Sequence, residues 1–253
     1  MKDVQSEKDT RNIYLHQVGI RDLKYPVVIR NGEGETFPVT AQVSLFADLE
    51  GDQKGTHMSR FVEVLTQDNQ MDLRHIRHLL ESIRDRLEAK NSFCRIRFDY
   101  YMWKKAPVTG RESYLDLEVE YAGSLRDGEL EFEMTVRTPV TTLCPCSKEI
   151  SDYSAHNQRA IVSITVTTDQ YIWIEDLCRI AEESASCPVY SLLKRPDEKY
   201  VTEYAYDHPK FVEDVARDVK MRVDKMEGVK HYVIEVESLE SIHNHSAYAK
   251  VEG

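Results

Sequence analysis

Residues 115–136 decide the fold class: Leu115-Asp116-Leu117-Glu118-Val119-Glu120-Tyr121 is followed, beyond Arg126-Asp127-Gly128, by Glu129-Leu130-Glu131-Phe132-Glu133-Met134-Thr135-Val136. In both runs an apolar side chain falls on every second position, the repeat of a strand with one face buried and the other wet. Arg126-Asp127-Gly128 between them is turn chemistry, so the two runs read as a hairpin of an antiparallel sheet.

Working outward, similar runs at residues 39–49, 93–102, 160–168 and 232–237 read as further strands, with a short closing strand at 247–251. The period changes elsewhere. Leu73, Ile76, Leu80, Ile83 and Leu87 recur every three or four residues with Arg and Glu between them, which predicts an amphipathic helix. A second helix begins after Asp207-His208-Pro209, where proline suits the first turn, and buries Val212, Val215, Val219 and Val223. A third lies at residues 174–183. The order of strands and helices before about residue 140 recurs after it. The pattern therefore predicts an α+β protein of two modules, 1–140 and 141–253; the second holds the Cys144-to-His156 motif described below and is for that reason expected to carry most of the active site.

Composition excludes several functions. The chain has 253 residues, with 33 Lys and Arg against 44 Asp and Glu, a net charge of −11. That field opposes the broad basic surface that nucleic acid needs, and a polyanionic small ligand would require a local cluster of cations or backbone N–H groups. No apolar run approaches the ~20 residues that span a bilayer. The polar start, Met1-Lys2-Asp3-Val4-Gln5-Ser6-Glu7-Lys8-Asp9, has no apolar stretch of a secretory signal, so the expected location is the cytoplasm. Five cysteines, Cys94, Cys144, Cys146, Cys178 and Cys187, argue for free thiols or metal ligands rather than a disulfide framework.

The densest chemistry is Thr142-Leu143-Cys144-Pro145-Cys146-Ser147-Lys148-Glu149, with His156 twelve residues after the first thiol. Thiolate and imidazole are ligands that Zn²⁺ and its neighbours accept, whereas two small buried residues beside a loop are the plain alternative. No second Cys pair completes a structural zinc site, and Cys178 and Cys187 lie in an apolar helical stretch that suits core packing. An incomplete ligand set points to a catalytic metal with an open position, which a carboxylate would complete.

Five blocks together resemble the type IB GTP cyclohydrolases: Gly55-Thr56-His57-Met58-Ser59-Arg60-Phe61; Cys144-Pro145-Cys146-Ser147-Lys148-Glu149 with Ala155-His156-Asn157-Gln158-Arg159; Lys194-Arg195-Pro196-Asp197-Glu198; Phe211-Val212-Glu213-Asp214; and Glu240-Ser241-Ile242-His243-Asn244-His245. The resemblance implies a tunnelling fold whose sheets close into a barrel across subunits, in a homotetramer with active sites at the interfaces. It implies hydrolysis of GTP to 7,8-dihydroneopterin triphosphate and formate, the first step of tetrahydrofolate biosynthesis. It further implies a divalent metal, Mn²⁺, Fe²⁺ or Zn²⁺, on Cys144, His156 and Glu198, with Cys146 the lesser thiol candidate.

In the same resemblance Glu213 anchors the guanine by accepting from its ring N–H and exocyclic amine, the alternative being an i,i+4 salt bridge to Arg217. His243 is the general acid/base, set against a solvated loop histidine, with His245 an unassigned neighbour. Cys144, Glu213 and His243 are thus the expected catalytic set. His57 and Arg60 either cap the adjoining helix or line the site, and Lys148, Arg159, Lys194 and Arg195 are possible triphosphate contacts. Two rivals are a related nitrile reductase of the queuosine pathway, with a cysteine nucleophile and a nicotinamide cofactor, and a non-catalytic purine- or metal-binding module.

Overall fold

The computed structural model describes Gln5 and residues 7–253. The polar N-terminal stretch read above for export lies partly outside them. The chain divides into two compact units, the first made of residues up to Phe98 with Glu120–Glu133 and Asp169–Tyr171, the second of Asp99–Val119, Met134–Thr168 and Ile172–Gly253. These units interleave, where the sequence pattern drew one cut after residue 140. The reason is strand length: β4 (Ser92–Lys105), β5 (Glu112–Arg126) and β6 (Glu129–Leu143) each contribute residues to both.

In the first unit β1 (Leu15–Arg30), β2 (Thr36–Leu49), α1 (Met58–Gln67), the short β3 (Gln70–Met71) and α2 (Leu73–Leu87) precede the near half of β4. The strand order is β3-β1-β2-β4-β5-β6, with β1, β2 and β4 antiparallel neighbours. The β5–β6 turn is the two-residue loop Asp127-Gly128, with φ of 51° and 84°, the positive pair that matches a hairpin's twist. Helix α2 is laid out as its spacing predicts. Ile76, Leu79, Leu80 and Ile83 are buried, each worth about 1.5–3 kcal/mol of burial. Asp72 caps its start by accepting from the backbone N–H of Arg74 and His75, both at 3.0 Å. Gly123 on β5 lets this helix approach: a Cβ there would lie 2.9 Å from Ile76 Cγ2 and 3.0 Å from Cys94 Sγ.

Two elements here escape the sequence pattern. Strand β1 carries register shifts between Leu15 and Val18 and between Ile20 and Leu23, with Asp22 at φ 54°, so its alternation slips twice. Helix α1 is short and buries only Phe61, Val64 and Leu65.

The second unit adds α3 (Pro145–Ile150), β7 (Asn157–Thr168), α4 (Ile174–Ser184), the two-residue β8 (Cys187–Pro188), α5 (Arg195–Asp207), α6 (Val212–Val223), β9 (Val229–Leu239) and β10 (Ser246–Glu252). Its order is β4-β5-β6-β7-β9-β10, with β8 on β6. Strand β9 lies antiparallel to both β7 and β10. Val212, Val215, Val219 and Val223 of α6 are buried as expected, over a core that includes Val162, Ile164, Ile234 and Val236. Helix α5 was not foreseen, because only Asp197 and Ala205 along it are buried and its apolar period is weak.

Candidate active site

The Cys-Pro-Cys motif sits where β6 ends. Cys144 is the N-cap of α3, Pro145 opens that helix, and the chain returns through Ala155 and His156 into β7. The backbone N–H of Cys144 donates to the carbonyl of His156 at 3.1 Å, bringing the two candidate ligands side by side. Ser147 ties the loop further: its hydroxyl donates to the Cys144 carbonyl at 3.1 Å and accepts from the His156 N–H at 3.2 Å. Its own N–H points at Cys144 Sγ, 3.4 Å away. Cys144 is half-buried and Cys146 exposed, so the packing favours the first thiol as the inward one.

The other cysteines are of a different kind. Burial pushes the thiols of Cys94 and Cys178 up to about 12 and that of Cys187 up to about 11. They stay protonated and serve the core.

The ring of His156 is held through Nδ1, which lies 2.8 Å from Gln158 Oε1 and 3.4 Å from Ser241 Oγ. Glu198 stands in the first turn of α5, exposed, next to the fully buried Asp197. Asp197 accepts four bonds, from the N–H groups of Val108 (2.9 Å), Thr109 (2.8 Å) and Lys194 (2.9 Å) and the Thr109 hydroxyl (2.7 Å). Burial pushes its carboxyl up, but these bonds outweigh it and hold the group well below the usual carboxylate range. The clamp fixes the start of α5, and so Glu198, against the turn between β4 and β5. Sequence reading quoted Asp197 within a motif but gave it no task, since three of its four bonds come from Val108 and Thr109, almost ninety residues away.

Among the described residues no three His, Cys, Asp or Glu side chains stand close enough together to hold a metal ion. What fits a metal is the chemistry of the donors: a partly buried thiol, an imidazole tied at one nitrogen only, and a carboxylate one turn from Val201, which packs with Ala155 around Leu143.

Glu213, in the first turn of α6, is exposed and has no ion-pair partner among the described residues. The salt bridge weighed for it goes elsewhere, because Arg217 reaches Asp214 at 3.5 Å and not Glu213. His243 lies in the exposed turn between β9 and β10, its ring stacked on His245 at 5.2 Å.

The candidate triphosphate cations separate. Lys148 donates to the Tyr206 carbonyl and covers that ring at 4.2 Å, joining α3 to α5. Lys194 and Arg195 are exposed at the start of α5. Arg159 lines a cleft of about 640 Å³ with Arg137, Glu118, Tyr190, Glu235 and Glu237, and neither arginine has an ion-pair partner among the described residues. Arg137 was missed, because one arginine in an alternating strand reads as a solvated charge. His57 and Arg60 belong to the first unit. His57 is the N-cap of α1 without a side-chain cap bond, and Arg60 donates to the Arg86 carbonyl at 3.0 Å.

Antiparallel sheet backed by helices throughout both units places the chain in the tunnelling-fold class, and solved structures agree. A uricase from Arthrobacter globiformis superposes with a TM-score of 0.55 at 8% sequence identity, over 99% of this chain and 95% of that one. The model of the family described as type I GTP cyclohydrolase folE2 matches residues 1–249, and the chain belongs to that family. It is 52% identical to GTP cyclohydrolase FolE2 of Fervidobacterium nodosum over 98% of this chain and 96% of the relative. With the protein of the same name from Thermosipho africanus it shares 49% over 99% and 97%.

Proposed function

We propose that this chain hydrolyses GTP to 7,8-dihydroneopterin triphosphate and formate, the entry step of tetrahydrofolate synthesis, acting in the cytoplasm as a homotetramer. Family membership over residues 1–249 carries the assignment. The adjacency of Cys144 and His156 and the carboxylate of Glu213, without an ion-pair partner among the described residues, support it.

Cys144, His156 and Glu198 are assigned to a divalent ion, Mn²⁺, Fe²⁺ or Zn²⁺, which when bound supplies Lewis acidity at neutral pH. Glu213 binds the guanine edge, its two oxygens accepting from a ring N–H and the exocyclic amine. His243 carries a proton to the five-membered-ring nitrogen that leaves when the bond to C8 breaks, since an imidazole can both give and take a proton through its ring nitrogens. Two hydrolytic steps at C8 consume two waters and release formate, and closure of the new ring returns one. Arg159 and Lys194 are assigned to the triphosphate, with Arg137 beside Arg159 in the same cleft. Lys148, His57 and Arg60 keep their substrate-binding assignment.

Assembly is supported at the end of the second unit's strand order, where β10 has no further neighbour among the described residues, and by exposed Tyr101, Trp103 and Tyr114 on β4 and β5. The deciding experiment measures formate release from GTP with and without a chelator, alongside light scattering. Formate release that a chelator leaves untouched overturns the metal assignment. No formate at all overturns the reaction, and an active monomer overturns the tetramer.

A further inference from the structure

Gln158 stands in β7 with its amide spanning two partners of unlike character. Its Oε1 lies 2.8 Å from His156 Nδ1, and its Nε2 donates to Thr142 Oγ1 at 3.1 Å. Thr142 lies 3.1 Å from Ser238 Oγ, and both hydroxyls are buried, at 1% exposure each. The chain therefore runs Ser238, Thr142, Gln158, His156, across β9, β6 and β7. All but its last member sit on regular strands, which hold a side chain more firmly than a loop does.

Direction matters here. A hydroxyl that accepts from the Gln158 amide still donates to Ser238, so the chain is satisfied with the Gln158 carbonyl facing the histidine. A neutral imidazole facing a carbonyl must carry its proton on Nδ1, and its Nε2 is then a bare lone pair. With the amide reversed, Nδ1 would accept and Nε2 would hold the proton, leaving no nitrogen free to ligate. Second partners of this kind orient metal-binding histidines and raise their basicity.

We propose that Gln158 is a positioning residue for the metal site: it holds His156 in the tautomer and orientation that present Nε2 as a ligand. This rests on the assignment of His156 to a divalent ion. A glutamine that only filled space between Thr142 and the loop would have no effect on ligation, and the two roles separate by substitution. Gln158→Met keeps the length and apolar stem but removes the acceptor. Gln158→Glu restores an acceptor toward Nδ1, with the Thr142 hydroxyl turning to donate to the second oxygen.

The experiment titrates Zn²⁺ into the full-length metal-free wild type and both variants against a chromophoric chelator, and records the melting temperature of each metal-free protein. The expected result is a loss of about 10–100-fold in Zn²⁺ affinity for Gln158→Met, affinity near wild type for Gln158→Glu, and melting temperatures unchanged by either. Wild-type affinity in Gln158→Met overturns the inference. So does equal weakness in both variants, or a fall in melting temperature that parallels the lost affinity. A wild type that takes up no Zn²⁺ overturns the metal assignment itself and this inference with it.

Discussion

Glu213→Gln separates substrate anchoring from helix stability in one substitution. Glu213 is exposed near the start of α6, and its only nearby cation on the helix, Arg217, is already engaged by Asp214 at 3.5 Å. No ion pair among the described residues is therefore lost in the free protein. The change remains within the first turn, where an acid interacts with the helix dipole for about 0.3–1 kcal/mol. Surface substitutions of this kind stay near 0.5 kcal/mol, a melting shift of about 1–2 °C for a chain of this length. In the complex the outcome differs. Gln replaces one acceptor with a donor, so a guanine N–H meets an N–H, at a cost of about 1–3 kcal/mol. With about 1.4 kcal/mol per tenfold, GTP affinity should fall by roughly 5–150-fold. Calorimetric melting and GTP titration on the same preparation measure both quantities. A variant that melts several degrees lower yet binds GTP like wild type would refute the reasoning and return Glu213 to a structural role.

Three further outcomes follow from the geometry. Cys144→Ala should lose bound metal and activity together, while Cys146→Ala, whose thiol is exposed, should keep both; metal analysis showing the reverse would exchange the two thiols. His243→Ala should retain metal and GTP while turnover drops by ~10²–10⁴-fold, and a metal-free variant would move this histidine into the coordination shell. Asp72→Ala should cost about 0.5–2 kcal/mol at pH 7 through the lost cap of α2. Burial raises the Asp72 carboxyl, yet its bonds with His75 and Arg74 bring it below the ordinary value, so its contribution is complete above the unfolded-state pKa near ~3.9 and disappears as pH falls through the folded one. Melting curves of wild type and variant should therefore converge in acid, and a gap that stays constant from pH 7 to pH 3 would count against the cap.

Local patterns were legible because their cause is local. Alternation in β5 and β6, Asp127-Gly128 between them, and the three-and-four spacing of α2 and α6 each depend on neighbours a few residues away, and all stand in the structure as the sequence predicts. Irregular or two-sided elements were not. Strand β1 loses its period at two register shifts, and α5 buries only Asp197 and Ala205, so neither presents a continuous apolar face. The same division runs through the candidate site. Residue types and spacing singled out Cys144, Cys146 and His156, and the resemblance to the type IB GTP cyclohydrolases named Glu198, Glu213 and His243. Only the tertiary structure decided which thiol is half-buried, that Arg217 takes Asp214 instead of Glu213, that Lys148 is tied to Tyr206, and that Gln158 and Asp197 hold the neighbouring groups. The choices that span long stretches of chain are made by packing: Asp197 meets Thr109 across 88 residues and Lys148 meets Tyr206 across 58. A buried carboxylate or ammonium takes whichever partner the fold brings within hydrogen-bond reach, because leaving it unsatisfied costs more than any preference written into the residues beside it.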